Sequence, residues 1–173
     1  SQRRVSTKTM KQTSRQKRRR RRPRVKPNGP PILTAAEIEK MRAAGKLAAS
    51  ILDRVEEEIT PGISTGAIDR LVHELTEAAG ARSAPYLYQG TFPGHCCTSV
   101  NHVVCHGIPS DEHILMDGDI INVDVTPVLD GFHGDTSRTF CVGEVKQSAQ
   151  DLVDTTFRAL WLGICAVGPG KHI

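Results

Sequence analysis

The chain has 173 residues, enough for one domain with its own core. Its charge is divided: residues 1–31 carry thirteen Lys or Arg and no acid, whereas the remaining 142 carry ten basic residues against nineteen acidic ones. No stretch approaches the roughly 20 apolar residues of a membrane span, and no apolar run follows the basic start, as a secretory signal would require. Five cysteines without a CxxC pair indicate neither a disulfide framework nor a zinc site. Small buried thiols in a reducing, cytoplasmic setting are expected instead.

In chain order, segment 1–31 comes first, with the basic run Lys17 to Arg22 followed by Pro23, Pro27, Pro30 and Pro31. Such a segment buries too little apolar surface to offset chain entropy, so a disordered tail is predicted. Three uses fit it: a spacer, an arm binding ribosomal RNA phosphates, or a transit peptide for a mitochondrion or plastid. With no aromatic residue interleaved, base stacking and DNA sequence recognition are not expected. The ordered domain is predicted over 32–173. Thr34-Ala35-Ala36-Glu37 reads as a capping box, and Ile38, Met41, Leu47, Ile51, Leu52 and Val55 give a helical stripe that Pro61-Gly62 ends. A second helix is predicted from about Gly66 to Ala79, with Ile68, Leu71, Val72 and Leu75 on its core face. Residues 81–95 form a loop rich in Pro, Gly and aromatics. Residues 96–108 look strand-like, and Asp117-Gly118-Asp119 turns the chain into a hairpin. A second capping box, Ser148-Ala149-Gln150-Asp151, opens a last helix carrying Leu152, Val153, Phe157, Leu160 and Ile164, which Gly168-Pro169-Gly170 ends. His95, His102 and His113 read as surface or loop histidines without a role.

The hairpin Ile120 to Phe140 holds the chemistry. Asp130-Gly131 between β-branched runs is a strong two-residue turn signal, which sets Asp124 opposite Ser137 and Thr126 opposite Asp135. Side chains alternate with period two, so Asp124 and Asp135 share a face as diagonal neighbours, with Cα atoms about 7–8 Å apart. Two bare carboxylates there would repel and raise one pKa. A divalent cation, or a pair of them, converts that repulsion into binding, since hard metals prefer oxygen ligands. Asn122 and His133 fall on the same face, and Val123, Val125, Phe132 and Gly134 on the other.

Asn122-Val123-Asp124-Val125-Thr126, Asp130-Gly131-Phe132-His133-Gly134-Asp135-Thr136-Ser137 and Asn101-His102-Val103-Val104-Cys105-His106-Gly107-Ile108-Pro109 together resemble the type I methionine aminopeptidases. The likeness runs from about Thr34 to Gly170. It implies an α/β pita-bread fold, an antiparallel curved sheet with flanking helices, of which this chain holds the first half. It also implies removal of the initiator methionine from nascent proteins and peptides by a site with two divalent metal ions (Co, Mn, Fe, Zn or Ni). Asp124 and Asp135 would then be metal ligands, His106 a catalytic and substrate-contacting residue, and Cys97 and Phe92 parts of the pocket for the methionine side chain. The family's remaining ligands, a His and two Glu, would lie in a second half, so residues 1–173 alone are expected to bind metal weakly, to lack peptidase activity and to expose an apolar seam. A non-catalytic module binding ribosomes through its basic tail is the alternative.

Overall fold

The computed structural model describes residues 32–172; the predicted disorder of the basic tail lies outside them. Helix α1 spans Ala35–Glu58, starting directly after Thr34. Ala44, Ala48, Ile51, Leu52 and Val55 form its buried face. Ile38 and Met41 from the predicted stripe are 44% and 46% exposed, and the first buried residue of the helix is Ala44. Backbone meets backbone there: a Cβ built on Gly134 would collide with the carbonyl of Ala44. Small residues let α1 lie this close to the hairpin.

Helix α2 spans Thr65–Ala78, and its N-cap is Ser64, whose side chain accepts from the Ala67 N–H. Ile68 and Val72 are fully buried, with Leu71 and Leu75 partly buried against the same cluster. Strands β1 (Arg82–Ser83), β2 (Cys97–Val100), β3 (Ile120–Val125), β4 (Pro127–Leu129), β5 (Phe132–His133) and β6 (Thr136–Cys141) follow in order. They make two antiparallel three-stranded sheets, β1-β4-β5 and β2-β3-β6. The strand-like segment 96–108 is thus a strand only to Val100; Asn101 turns the chain with φ 52°, its side chain tied to Asp119 and the Ile120 N–H.

The hairpin keeps one register from end to end, with Asp124 opposite Ser137 and Val128 opposite His133. Asp130 and Gly131 form its turn at φ 51° and 84°, the left-handed pair that a two-residue hairpin turn needs. It is nevertheless divided between the two sheets, and the division falls at Thr126 on one arm and at Gly134-Asp135 on the other. The inner face of β3, Ile121, Val123 and Val125, packs on α1 and α2 with Leu115, Phe140 and Val142 as the centre of the core.

Helix α3 spans Gln147–Ala166 and corrects the predicted capping box. Lys146 is its N-cap, without a side-chain cap bond, so Ser148 already lies inside the first turn. No residue of α3 is buried: Leu152, Phe157, Leu160, Trp161, Leu162 and Ile164 are all at least half exposed. The stripe is helical in spacing but has no partner among the described residues.

The cysteines also depart from expectation. Cys96 and Cys97 are buried and Cys141 is intermediate, but Cys105 and Cys165 are exposed, and all five are free thiols.

Candidate functional site

The break between the two sheets opens a cavity of about 310 Å³. One wall is apolar, formed by Ala84, Pro85, Tyr88, Phe92 and Cys97; the other is polar, formed by His106, Asp124, Thr126 and Asp135. Asp124 sits on the central strand β3, flanked by Ser137 on β6 and Cys97 on β2. Asp135 lies in the gap between β5 and β6, where its Oδ1 accepts from Thr126 Oγ1 at 3.3 Å. The two acids therefore converge as the hairpin register predicted.

His106 reaches the cavity by an unusual backbone route, with φ 56°. The next residue, Gly107, is clamped against β2: its carbonyl accepts from the Thr98 N–H at 2.9 Å and its N–H donates to Ser99 Oγ at 3.1 Å. A Cβ at Gly107 would run into the Thr98 carbonyl. The glycines after His106 and before Asp135 thus serve the same end, letting backbone approach backbone so that the neighbouring functional side chain faces the cavity.

Burial, and then the charge of Asp135, hold the Asp124 carboxyl above its ordinary value, with His106 acting in the opposite direction. Burial followed by the Asp124 charge pushes the Cys97 thiol up to about 11. The cavity is therefore rich in acidic charge that a cation would relieve.

Not every residue of the predicted polar face takes part. Asn122 shares the face, but its Nδ2 donates to Ser137 Oγ and Thr139 Oγ1 at 3.3 and 3.1 Å. His133 is exposed and does not line the cavity. Thr126 does line it and was not singled out from sequence, and Ala84, Pro85 and Tyr88 join it from the 81–95 loop. Ala84 is brought there by its N–H bond to the Thr126 carbonyl, 2.9 Å, a long-range tie with no local sequence signal. His95, read as a loop histidine, is partly buried in a stack of rings, whereas His102 and His113 are exposed.

The donor chemistry fits a divalent cation at the acid pair, since both groups are carboxylates and the Asp135 charge helps to hold the Asp124 carboxyl up. Among the described residues, however, no group of three or more His, Cys, Asp or Glu could hold a metal ion. Asp124 and Asp135 could therefore supply part of a ligand set and not the whole of one.

Residues 39–173 match the metallopeptidase family M24. The chain belongs to that family. Within M24 it is similar to methionine aminopeptidase A of Synechocystis sp., at 52% identity over 142 residues, covering 82% of this chain and 56% of that protein. Among solved structures, the methionine aminopeptidase of Rickettsia prowazekii superposes with a TM-score of 0.73 at 46% identity, covering 75% of this chain and 52% of that one. The Thermotoga maritima methionine aminopeptidase gives a TM-score of 0.77 at 37% identity over 80% of this chain and 55% of that one. The chain thus spans about half the length of the relatives it matches. The M24 similarity and the α/β fold of antiparallel sheets with flanking helices both agree with the sequence resemblance.

Proposed function

We propose that this chain carries the first part of a methionine aminopeptidase, a metal-dependent exopeptidase that removes the N-terminal methionine from peptides and nascent proteins. The observation that carries the reading is the cavity itself, whose acidic wall holds Asp124, Asp135 and His106 and whose apolar wall holds a thiol and two aromatic rings. An unbranched thioether suits such a wall, because sulfur and aromatic edges attract.

Asp124 and Asp135 would hold a divalent cation, which when bound supplies Lewis-acid chemistry for amide hydrolysis. The remaining ligands would come from outside the described residues. His106 would donate a hydrogen bond to the scissile amide as charge develops there. Phe92, Tyr88 and Cys97 would take the methionine side chain, excluding water from it. In a protein carrying this chain at the length of its relatives, release of methionine from a Met-Ala-Ser peptide should fall about 10²–10³-fold in kcat with His106→Ala, the usual effect of losing a transition-state donor. Unchanged turnover in that variant would remove His106 from the chemistry.

Among the described residues no helix is long and apolar enough to cross a membrane, and the free thiols suit a reducing compartment. A cytoplasmic setting fits, with an organelle as the alternative if residues 1–31 are a transit peptide. Thirteen cations without an acid in those residues also favour non-specific contact with ribosomal RNA. Residues 32–173 should then sediment less with ribosomes than the whole chain at low salt, and equal sedimentation would leave the tail a spacer or targeting segment.

A further inference from the structure

Beside the cavity lies a set of titratable groups that the proposed chemistry does not use. Asp69, His73 and Glu77 stand four residues apart on α2, one above the other on a single stripe. His95 packs on that stripe. Its ring is stacked on His73 at 3.8 Å between centroids with planes 22° apart, and its other face carries Tyr86 at 4.4 Å and 7°. Asp69 Oδ1 accepts from the His95 and Cys96 backbone N–H groups at 2.6 and 3.0 Å, fixing the chain just before Cys97 enters the cavity wall.

Tyr86 belongs to the loop that makes the rest of that wall. Pro85, Tyr88 and Phe92 line the cavity. The loop is tied to itself by Leu87 N–H to Phe92 carbonyl at 2.8 Å and Tyr88 N–H to Pro85 carbonyl at 2.9 Å. Leu87 and Gln89 have φ 57° and 50°, so this backbone is held against its own preference. The Tyr86 ring joins the loop to α2 through His95.

We propose that the His73–His95–Tyr86 stack positions the apolar wall of the cavity and releases it when His95 at its centre is protonated. His95 is the ring in the middle. Its Nδ1 is buried and has no hydrogen-bond partner, so a proton there would place a charged donor where no acceptor waits. Around it stand His73 and the carboxylates of Asp69 and Glu77 from α2, the Cys96 thiol from its own segment, and Tyr86 from the loop. Burial first, then His73, lower the His95 pKa, and the attraction of Asp69 and Glu77 opposes them only in part. A histidine with a lowered folded-state pKa contributes stability that is complete above its unfolded value and lost as pH falls. The closed wall is accordingly the form of neutral and higher pH, and the loop loosens on acidification. Only the description of the wall as a methionine pocket rests on the aminopeptidase reading; the stack and its titration do not.

Hydrogen exchange on the whole chain tests this without metal or peptide, so its outcome is separate from that of the catalytic reading. After correction for intrinsic exchange, protection of the amides in 86–92 should fall severalfold from about pH 7.5 to about pH 5.5, the range in which histidine titrates. The ladder amides of β3 and β6 should not change and serve as the folding control. The midpoint should coincide with that of the His95 ring followed by proton NMR. In His95→Phe, which keeps a stacking ring without the titration, protection should persist at the lower pH. A pH-independent loop in the wild type, or the same pH dependence in His95→Phe, would overturn the proposal.

Discussion

At the scale of single residues, the site is made by backbone proximity as much as by the acids themselves. Gly134 has no space for a side chain because the Ala44 carbonyl occupies it. Gly134→Ala should therefore cost about 1–3 kcal/mol, the usual penalty for overpacking, and should also displace Asp135. Urea unfolding would show the loss as a lower midpoint with an unchanged slope, whereas wild-type stability would mean that α1 and the hairpin can separate without cost. Cys97 gives a second check on the electrostatics. With its thiol pushed up to about 11, only about one molecule in a thousand is thiolate at pH 8, and the thiolate is the reactive form. Iodoacetamide at that pH should modify exposed Cys105 and Cys165 well before Cys97, as peptide mass mapping would report. Equal rates at Cys97 and Cys105 would contradict the buried, acid-flanked placement.

At the scale of elements, helix starts distinguish a serine that caps from one that does not. Ser64 caps α2 through a 3.0 Å bond from the Ala67 N–H, so Ser64→Ala should cost about 1 kcal/mol. Ser148 lies within α3 and caps nothing, so Ser148→Ala should stay within about 0.5 kcal/mol of the wild type. A reversed order in denaturation would restore the capping box at Ser148. What the sequence made legible divides at this scale. Patterns confined to one element were readable: the Asp130-Gly131 turn fixed the hairpin register, and with it the meeting of Asp124 and Asp135. The α2 stripe was legible for the same reason. Features set by distant neighbours were not. Ala44 is buried where the hairpin backbone at Gly134 lies against it, and Ala84 reaches the cavity through a bond to Thr126. His95 looked like a loop histidine because its partners, His73 and Tyr86, are contributed by other segments. Even inside the hairpin, the division into two sheets at Thr126 left no mark in the alternation of side chains.

At the scale of the whole molecule, α3 exposes Phe157, Leu160 and Trp161 at helical spacing, an apolar face of the kind that marks an association surface. The chain studied as residues 1–173 should self-associate, and Phe157→Glu with Trp161→Glu should shift it towards monomer in sedimentation. Trp161 is the single tryptophan, so its emission should be that of a solvent-exposed indole at high dilution and move to shorter wavelength as the chain associates. A concentration-independent spectrum with a monomeric sedimentation profile would mean that α3 is covered within the chain.

The central proposal is that Asp124 and Asp135 together bind divalent metal. Calorimetric titration of residues 1–173 with manganese tests it most directly, compared with Asp135→Ala under the same conditions. Two carboxylates without a third ligand among the described residues should give saturable but weak binding in the wild type, and the heat should disappear in the variant. Equal heats from wild type and Asp135→Ala, or no binding by either, would contradict the account.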